Sequence, residues 1–208
     1  MNIYVTRHGQ RMDYHKFEGP TGYHPLTELG RQQARKLAKR LDGEGFSGRI
    51  YSSPFSRCLE TADVICEELG MEFHPEPQIT EKCGNWIDSF TGLKGEEMID
   101  QFEHCHEDAA HISWPWWPTE PESYDEVAER MRPFSEALLE DLDEDLLLVG
   151  HGATSWAAVY TITGVDTDGH YNAGLSTIDA SGTPTLQYQN DTSHLGPGEI
   201  TSNEKVIE

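Results

Sequence analysis

Ile3-Tyr4-Val5-Thr6-Arg7-His8-Gly9-Gln10 opens the chain with a short apolar run that stops on an arginine, a histidine and a glycine. Ile3 to Val5 reads as a buried strand. A strand that ends on such side chains delivers them to the carboxyl edge of a sheet, where open α/β folds bind ligands. Arg7 offers a planar fork of donors suited to phosphate or carboxylate. His8 can serve as a nucleophile or as a proton-transfer group, and Gly9 lets the backbone turn closely around a ligand. Alone, the tripeptide reads more simply as a buried histidine beside a structural arginine.

The downstream sequence changes that reading. Leu146-Leu147-Leu148-Val149 is an unbroken apolar run of the kind found in central parallel strands. It ends on Gly150-His151-Gly152-Ala153-Thr154, and a helix carrying Trp156, Val159 and Ile162 follows. Buried strand, histidine flanked by glycine, then helix: the opening pattern recurs. Between the two, a strand at Arg49 to Ser52 leads into Ser53-Pro54-Phe55-Ser56-Arg57. Ser53 suits a helix cap and Pro54 a first helical turn. Arg57 then falls in that first turn, where the helix macrodipole disfavours a cation. It is either a solvated surface residue or one that shares a bound anion with the helix amides. Three strand ends in a mostly parallel sheet therefore bring Arg7, His8, Arg57 and His151 to one edge, a setting for a dianionic phosphoryl group.

The remaining elements frame this edge. Arg11 to His24 reads as a loop over it, and a helix with one apolar face runs from Pro25-Leu26-Thr27 to about Leu41, ended by Gly43 and Gly45. The helix carrying Arg57 continues to Gly70, and a short strand is expected at Met71 to His74. Residues 76–118 are irregular and read as an insertion forming a lid or pocket wall, with a helical stretch around Glu96 to Ala110. Its tryptophans, Trp114, Trp116 and Trp117, either pack over a core edge or shape an apolar substrate pocket. Ser123-Tyr124-Asp125-Glu126 is a capping box. It opens a helix with Val127, Met131, Phe134, Leu138 and Leu142, which Pro133 should kink. Strands are expected at Leu175 to Asp179 and Thr185 to Gln189, and the segment after Ser193 should lie on the surface. The expected architecture is one α/β domain over residues 1–208, a three-layer αβα sandwich around a mostly parallel sheet.

Composition narrows the function classes. The 208 residues include 37 acidic and 15 basic ones, a formal net charge of -22. Such a surface repels nucleic acid and anionic membranes. Acidity with only six lysines suggests a protein kept soluble in concentrated salt. No secretory signal and no run of membrane-spanning length is visible, so a cytoplasmic location is expected. Cys58, Cys66, Cys83 and Cys105 are irregularly spaced and read as free thiols. Oligomeric state is not legible.

Taken together, Arg7-His8-Gly9, Ser52-Ser53-Pro54 with Arg57 and Thr61-Ala62, and Gly150-His151-Gly152 resemble the motifs of the histidine phosphatase superfamily, the phosphoglycerate mutase-like fold, in the right order over nearly the whole chain. Arg7-His8-Gly9-Gln10-Arg11 with Asp13, and Pro121-Glu122-Ser123-Tyr124, look closest to the phosphatase branch related to the ubiquitin-associated, SH3-containing signalling phosphatases. The resemblance implies a metal-independent phosphomonoesterase without a cofactor. His8 would be the nucleophile that becomes phosphohistidine. Arg7 and Arg57 would clamp the phosphoryl oxygens, with Gln10 in the phosphate pocket and Arg11 either extending it or solvated in its loop. His151 would act as a cationic donor, and Glu81, otherwise an ordinary loop carboxylate, would be the general acid. A small phosphorylated substrate is implied, with a phosphoprotein left open. Gly152 stands where acid phosphatases and phytases of the superfamily carry Asp. The asparagine of the mutases is absent around Arg11-Met12-Asp13-Tyr14. The competing readings are a phosphoglycerate mutase-type transferase and a phosphate-binding regulatory module.

One further cluster, Glu103-His104-Cys105-His106 with Asp108 and His111, raises a metal site. Its spacing matches no closed zinc pattern, and on a helix His104 and His106 would point apart. A solvated polar face is the expected reading, with no metal.

Overall fold

The computed structural model describes residues 1–13, 23–84, 90–141, 143–202 and 205–206. Residues 14–22 of the expected Arg11–His24 loop, Asn85 and Trp86 of the insertion, and Leu142 lie outside the described residues.

In chain order the elements are β1 (Asn2–Arg7), α1 (Glu28–Gly43), β2 (Arg49–Ser52), α2 (Ser56–Leu69), β3 (Phe73–Pro75), α3 (Gly95–Gln101), α4 (Tyr124–Glu140), β4 (Leu146–Gly150), α5 (Gly152–Thr163), β5 (Leu175–Asp179), β6 (Thr185–Asp191), β7 (Thr201–Ser202) and β8 (Lys205–Val206). Six strands form one sheet in the order β3-β2-β4-β1-β5-β6. The β3–β2, β2–β4 and β4–β1 pairs are parallel, and β5 joins antiparallel to both β1 and β6.

Side-chain alternation along each strand divides the core into two layers. Tyr4, Ile50, Phe73, Leu147 and Val149 pack with Leu37 and Leu41 of α1 and with Leu59 and Ile65 of α2. Ile3, Val5, Leu146, Leu148 and Ile178 pack on the other face with Val127 and Met131 of α4 and Val159 of α5. β4 is buried along its whole length because both faces are covered, which its unbroken apolar run requires. Truncating the fully buried Leu147 to Ala would cost about 2–5 kcal/mol.

β1 and β4 lie side by side, yet the helices that follow them cover opposite faces. The crevice between their carboxyl ends is therefore where an open sheet leaves room for a ligand. His8 and His151 are the residues immediately beyond those two ends.

The structure changes several expectations. α2 starts at Ser56 behind Phe55, so Pro54 precedes the helix and Ser53 does not cap it. α4, by contrast, spans Tyr124–Glu140 behind its Ser123–Glu126 capping box with Pro133 inside it, as expected. The stretch expected as helix around 96–110 divides into α3 and a 3-10 turn at Glu107–His111. The segment after Ser193 is tied down, with Thr201 fully buried. Gln33 of α1 donates to the Glu199 carbonyl at 2.6 Å and to Thr201 Oγ1 at 3.0 Å. Polar anchors of this kind carry no hydrophobic period, so the pattern of the sequence misses them.

Candidate active site

β1 hands His8 into the crevice with its backbone fixed: His8 N–H donates to the Gly150 carbonyl at 2.9 Å. The side chain is 1% exposed. Its Nδ1 lies 2.7 Å from the Gly9 carbonyl, an acceptor only, so the ring proton sits on Nδ1 and Nε2 keeps its lone pair. Arg57 Nε donates to that Nε2 at 3.1 Å. Burial first, then the charges of Arg57 and Arg7, hold His8 well below the ordinary histidine pKa, so the ring is neutral near pH 7.

His151 is fully buried at the amino-terminal cap of α5. Its Nε2 stands 2.8 Å from Ser53 Oγ, and its Nδ1 is 3.0 Å from Arg57 Nη2 and 3.4 Å from Glu81 Oε2. Arg57 carries donors only, so Nδ1 accepts from it and Nε2–H donates to Ser53. Burial and then the Arg57 charge keep His151 well below the ordinary value. Beside a buried guanidinium the imidazole is thus held towards its neutral form, and the expected cationic state would require the negative charge of a phosphoryl group next to it. The two histidine rings meet edge to face at 5.4 Å.

Arg57 is 3% exposed and stacks on Phe55 at 4.6 Å. Arg7 donates from Nη1 to the His170 carbonyl at 3.0 Å, and burial, then the Arg57 and Arg11 charges, act against its own charge while Glu81 supports it. Arg11 is buried, with Nη1 on the Met12 carbonyl, and its charge also depresses His8. Glu81 reaches Arg57 Nη2 at 3.5 Å while its other oxygen accepts from Lys82 N–H at 2.9 Å. Gln10 is turned elsewhere: its side-chain oxygen accepts from Thr27 Oγ1 at 2.8 Å and its backbone N–H donates to Gln33. The structure therefore joins Arg7, His8, Arg57, His151, Glu81 and Arg11, and directs the recorded contacts of Gln10 to α1. Gly9 has a further reason beside the expected one. A Cβ there would stand 2.5 Å from the Gly30 carbonyl oxygen, so glycine permits close approach of the first turn of α1.

Several residues support the site in roles the sequence reading did not assign. Thr61 links the motifs, accepting from Gly9 N–H at 3.1 Å and donating to the Arg57 carbonyl. Thr154 accepts from His151 N–H at 3.0 Å. Asn172 donates to the His8 carbonyl and accepts from Thr201 Oγ1, each at 3.0 Å, so the chain's last segment buttresses the histidine. Glu122 and Arg130 clamp the Glu81 segment. Arg130 pairs with Glu122 at 2.7 and 3.1 Å and donates to the Gln78 and Thr80 carbonyls. Glu122 in turn accepts from Cys83 N–H at 2.9 Å. The capping box could have pointed to this region, but nothing local in the sequence pairs Glu122 with a segment some forty residues earlier.

A cleft of about 860 Å³ opens at this site. Its lining includes Arg7, Glu81, Lys82, Trp156, Asp168 and His170, and it adjoins the site through Arg7 and Glu81, with the buried His8, Arg57 and His151 lying behind that lining and not on it. Trp114, Trp116 and Trp117 are absent from its lining. Trp116 is buried against Phe55 and Phe90 and Trp117 packs on the same cluster, so these two serve packing, while Trp114 is 49% exposed. No helix among the described residues is long and apolar enough to cross a membrane.

Comparison with known proteins agrees with this geometry. A family model described as histidine phosphatase superfamily (branch 1) matches residues 3–193. A putative phosphoserine phosphatase 2 of Hydrogenobacter thermophilus is 30% identical, with 92% of this chain and 96% of the relative covered. A probable phosphoglycerate mutase of Yersinia pestis is 28% identical over 94% and 95% of the two chains. Among solved structures, a mycobacterial glucosyl-3-phosphoglycerate phosphatase superposes with a TM-score of 0.65 at 25% identity, covering 92% of this chain and 99% of that one. An ecdysone phosphate phosphatase from Bombix mori shares the fold, with a TM-score of 0.68 at 17% identity over 91% and 92%.

Proposed function

The chain belongs to branch 1 of the histidine phosphatase superfamily, and on that premise we propose that it hydrolyses phosphomonoesters through a phosphohistidine on His8, as one catalytic domain with residues 76–118 as pocket wall. The observation that carries this reading is the fixed tautomer of His8: Nδ1–H is held by the Gly9 carbonyl, and Nε2 presents its lone pair to a buried guanidinium.

A phosphoryl group entering the cleft takes the place of Nε2 as partner of Arg57, and Arg7 and Arg57 neutralise its oxygens. The Nε2 lone pair attacks phosphorus in line as the bond to the leaving oxygen breaks. Glu81, in its protonated form, gives that oxygen its proton. Water then attacks phosphorus, the P–N bond breaks back onto Nε2, and the Glu81 carboxylate takes the water's proton. As Arg57 turns to the phosphoryl oxygens it leaves His151 Nδ1, and the added negative charge lets that nitrogen take up a proton and donate to the transferring oxygens. Phosphoryl transfer chiefly requires positioning and charge stabilisation, and these fixed donors supply both without recourse to a metal. The substrate in this reading is a small phosphorylated molecule.

The 28% identical mutase relative favours a second reading, return of the phosphoryl group to a substrate hydroxyl instead of to water. Hydrolysis of p-nitrophenyl phosphate with a chelator present tests the first. Wild type should turn over and His8→Ala should not. Chelator-sensitive turnover, or full activity in the variant, would overturn it. The charge of -22 and the scarcity of lysine support a cytoplasm of high salt as the working environment.

A further inference from the structure

We propose that His74, His106 and Asp108 form a binding site for one divalent transition-metal ion of the zinc class, separate from the phosphate cleft. Each offers one ligand atom, and these atoms lie within 4.8 Å of one another. None of the three lines the cleft.

The fold presents them together through main-chain bonds. Phe73 N–H donates to the His104 carbonyl at 3.0 Å and His106 N–H to the Phe73 carbonyl at 2.9 Å, tying β3 to the segment before the 3-10 turn. Phe73 and Cys105 are buried in the core at that bridge, which fixes the register. His74, next to Phe73, and His106, next to Cys105, consequently lie side by side, with ring centroids 4.4 Å apart. Asp108 spans both, with one oxygen 2.6 Å from His74 Nδ1 and the other 3.1 Å from His106 Nδ1, which accepts from the Asp108 N–H at 3.2 Å and would exchange that bond for the ion or bind it through Nε2.

Two imidazoles and a carboxylate are borderline donors, suited to zinc, cobalt or nickel rather than to magnesium or calcium. Zinc bonds of about 2.0–2.2 Å place tetrahedral ligand atoms roughly 3.3 Å apart, so modest side-chain rotation closes the set. The side chains are between 24% and 47% exposed, which admits the ion and leaves its remaining position to water. The histidine-rich run itself is only partly used. His104 turns away to Asp63 at 3.0 Å, so the local motif contributes one histidine and β3, some thirty residues earlier, supplies the other. A bound ion would staple the 3-10 turn to the edge strand.

Full-length, tag-free protein stripped by a chelator and desalted would be titrated with Zn²⁺ by calorimetry and with Co²⁺ by visible absorption. Wild type should bind one equivalent, and Tm should rise by about 5–10 °C at roughly a hundredfold excess over Kd. His74→Ala and His106→Ala should each weaken binding about tenfold or more, while retaining p-nitrophenyl phosphate turnover as proof of folding. His104→Ala and His8→Ala should bind like wild type. Absence of saturable binding would overturn the proposal. So would binding that survives both ligand variants, or binding lost in His8→Ala, which would place the ion in the phosphate cleft.

Discussion

Replacing Arg130 with Met should cripple proton delivery without touching the phosphate site. Arg130 holds Glu122 through two contacts and reaches the carbonyls of Gln78 and Thr80, which brackets the segment carrying Glu81. Its loss leaves the largely buried Glu122 carboxylate without its charge partner, at about 1.5–3 kcal/mol for bonds to a charged group. Glu81 now meets Arg57 and His151 at 3.4–3.5 Å, and a displacement of about 1 Å there corresponds to roughly 100-fold in rate. Only leaving groups that need a proton should feel it. For an alkyl phosphate, kcat should fall about 100-fold in Arg130→Met, against a few-fold for p-nitrophenyl phosphate, whose leaving group departs as a stable anion. Adding Glu81→Gln to Arg130→Met should then cost little more than Glu81→Gln alone, because both remove one function. Equal losses for the two substrates, or additive effects in the double variant, would refute the positioning role.

Other consequences are open to measurement. Ser53→Ala removes the acceptor 2.8 Å from His151 Nε2 and should lower kcat about 10-fold with KM little changed; an unaltered kcat would remove Ser53 from the site. His170 is buried, and burial, then the Arg7 charge, hold it down to about 4, against about 6.5 in an unfolded chain. Its protonation is therefore cost-free above about pH 7 and opposes folding as pH falls from 6.5 towards 4, by about 2 kcal/mol at about pH 5. A His170→Gln variant should lose that part of the slope in denaturant titrations between about pH 7 and 5, and identical slopes would contradict the linkage. The excess of acidic residues should make Tm climb as potassium chloride is raised to about 1 M, where the Debye length falls to about 3 Å. A salt-indifferent melting curve would count against a high-salt origin.

Legibility in the sequence followed the range of the interactions. Apolar runs and capping signals are local, so β2 and β5 coincide with the expected Arg49–Ser52 and Leu175–Asp179, and Ser123 caps α4 as its box requires. Arg7, His8, Arg57 and His151 were readable because each follows a recognisable strand, and parallel strands gather such positions at one edge. Ser53 was misread for a physical reason: its hydroxyl faces His151 instead of closing the cap of α2, a choice set by a residue 98 positions away. Asn172 and Thr201 were invisible because their value lies in a polar relay to His8, without period or motif. The charge state of His151 depends on burial and on a guanidinium at 3.0 Å, neither of which a sequence displays.

The decisive measurement is capture of the covalent intermediate. Wild-type protein mixed with a rapidly cleaved phosphomonoester, quenched in alkali and digested should yield a peptide spanning His8 that carries one phosphoryl group on the imidazole. His8→Ala should yield none. Phosphate found on another residue, or steady turnover with no phosphorylated species at any quench time, would contradict His8 as the nucleophile.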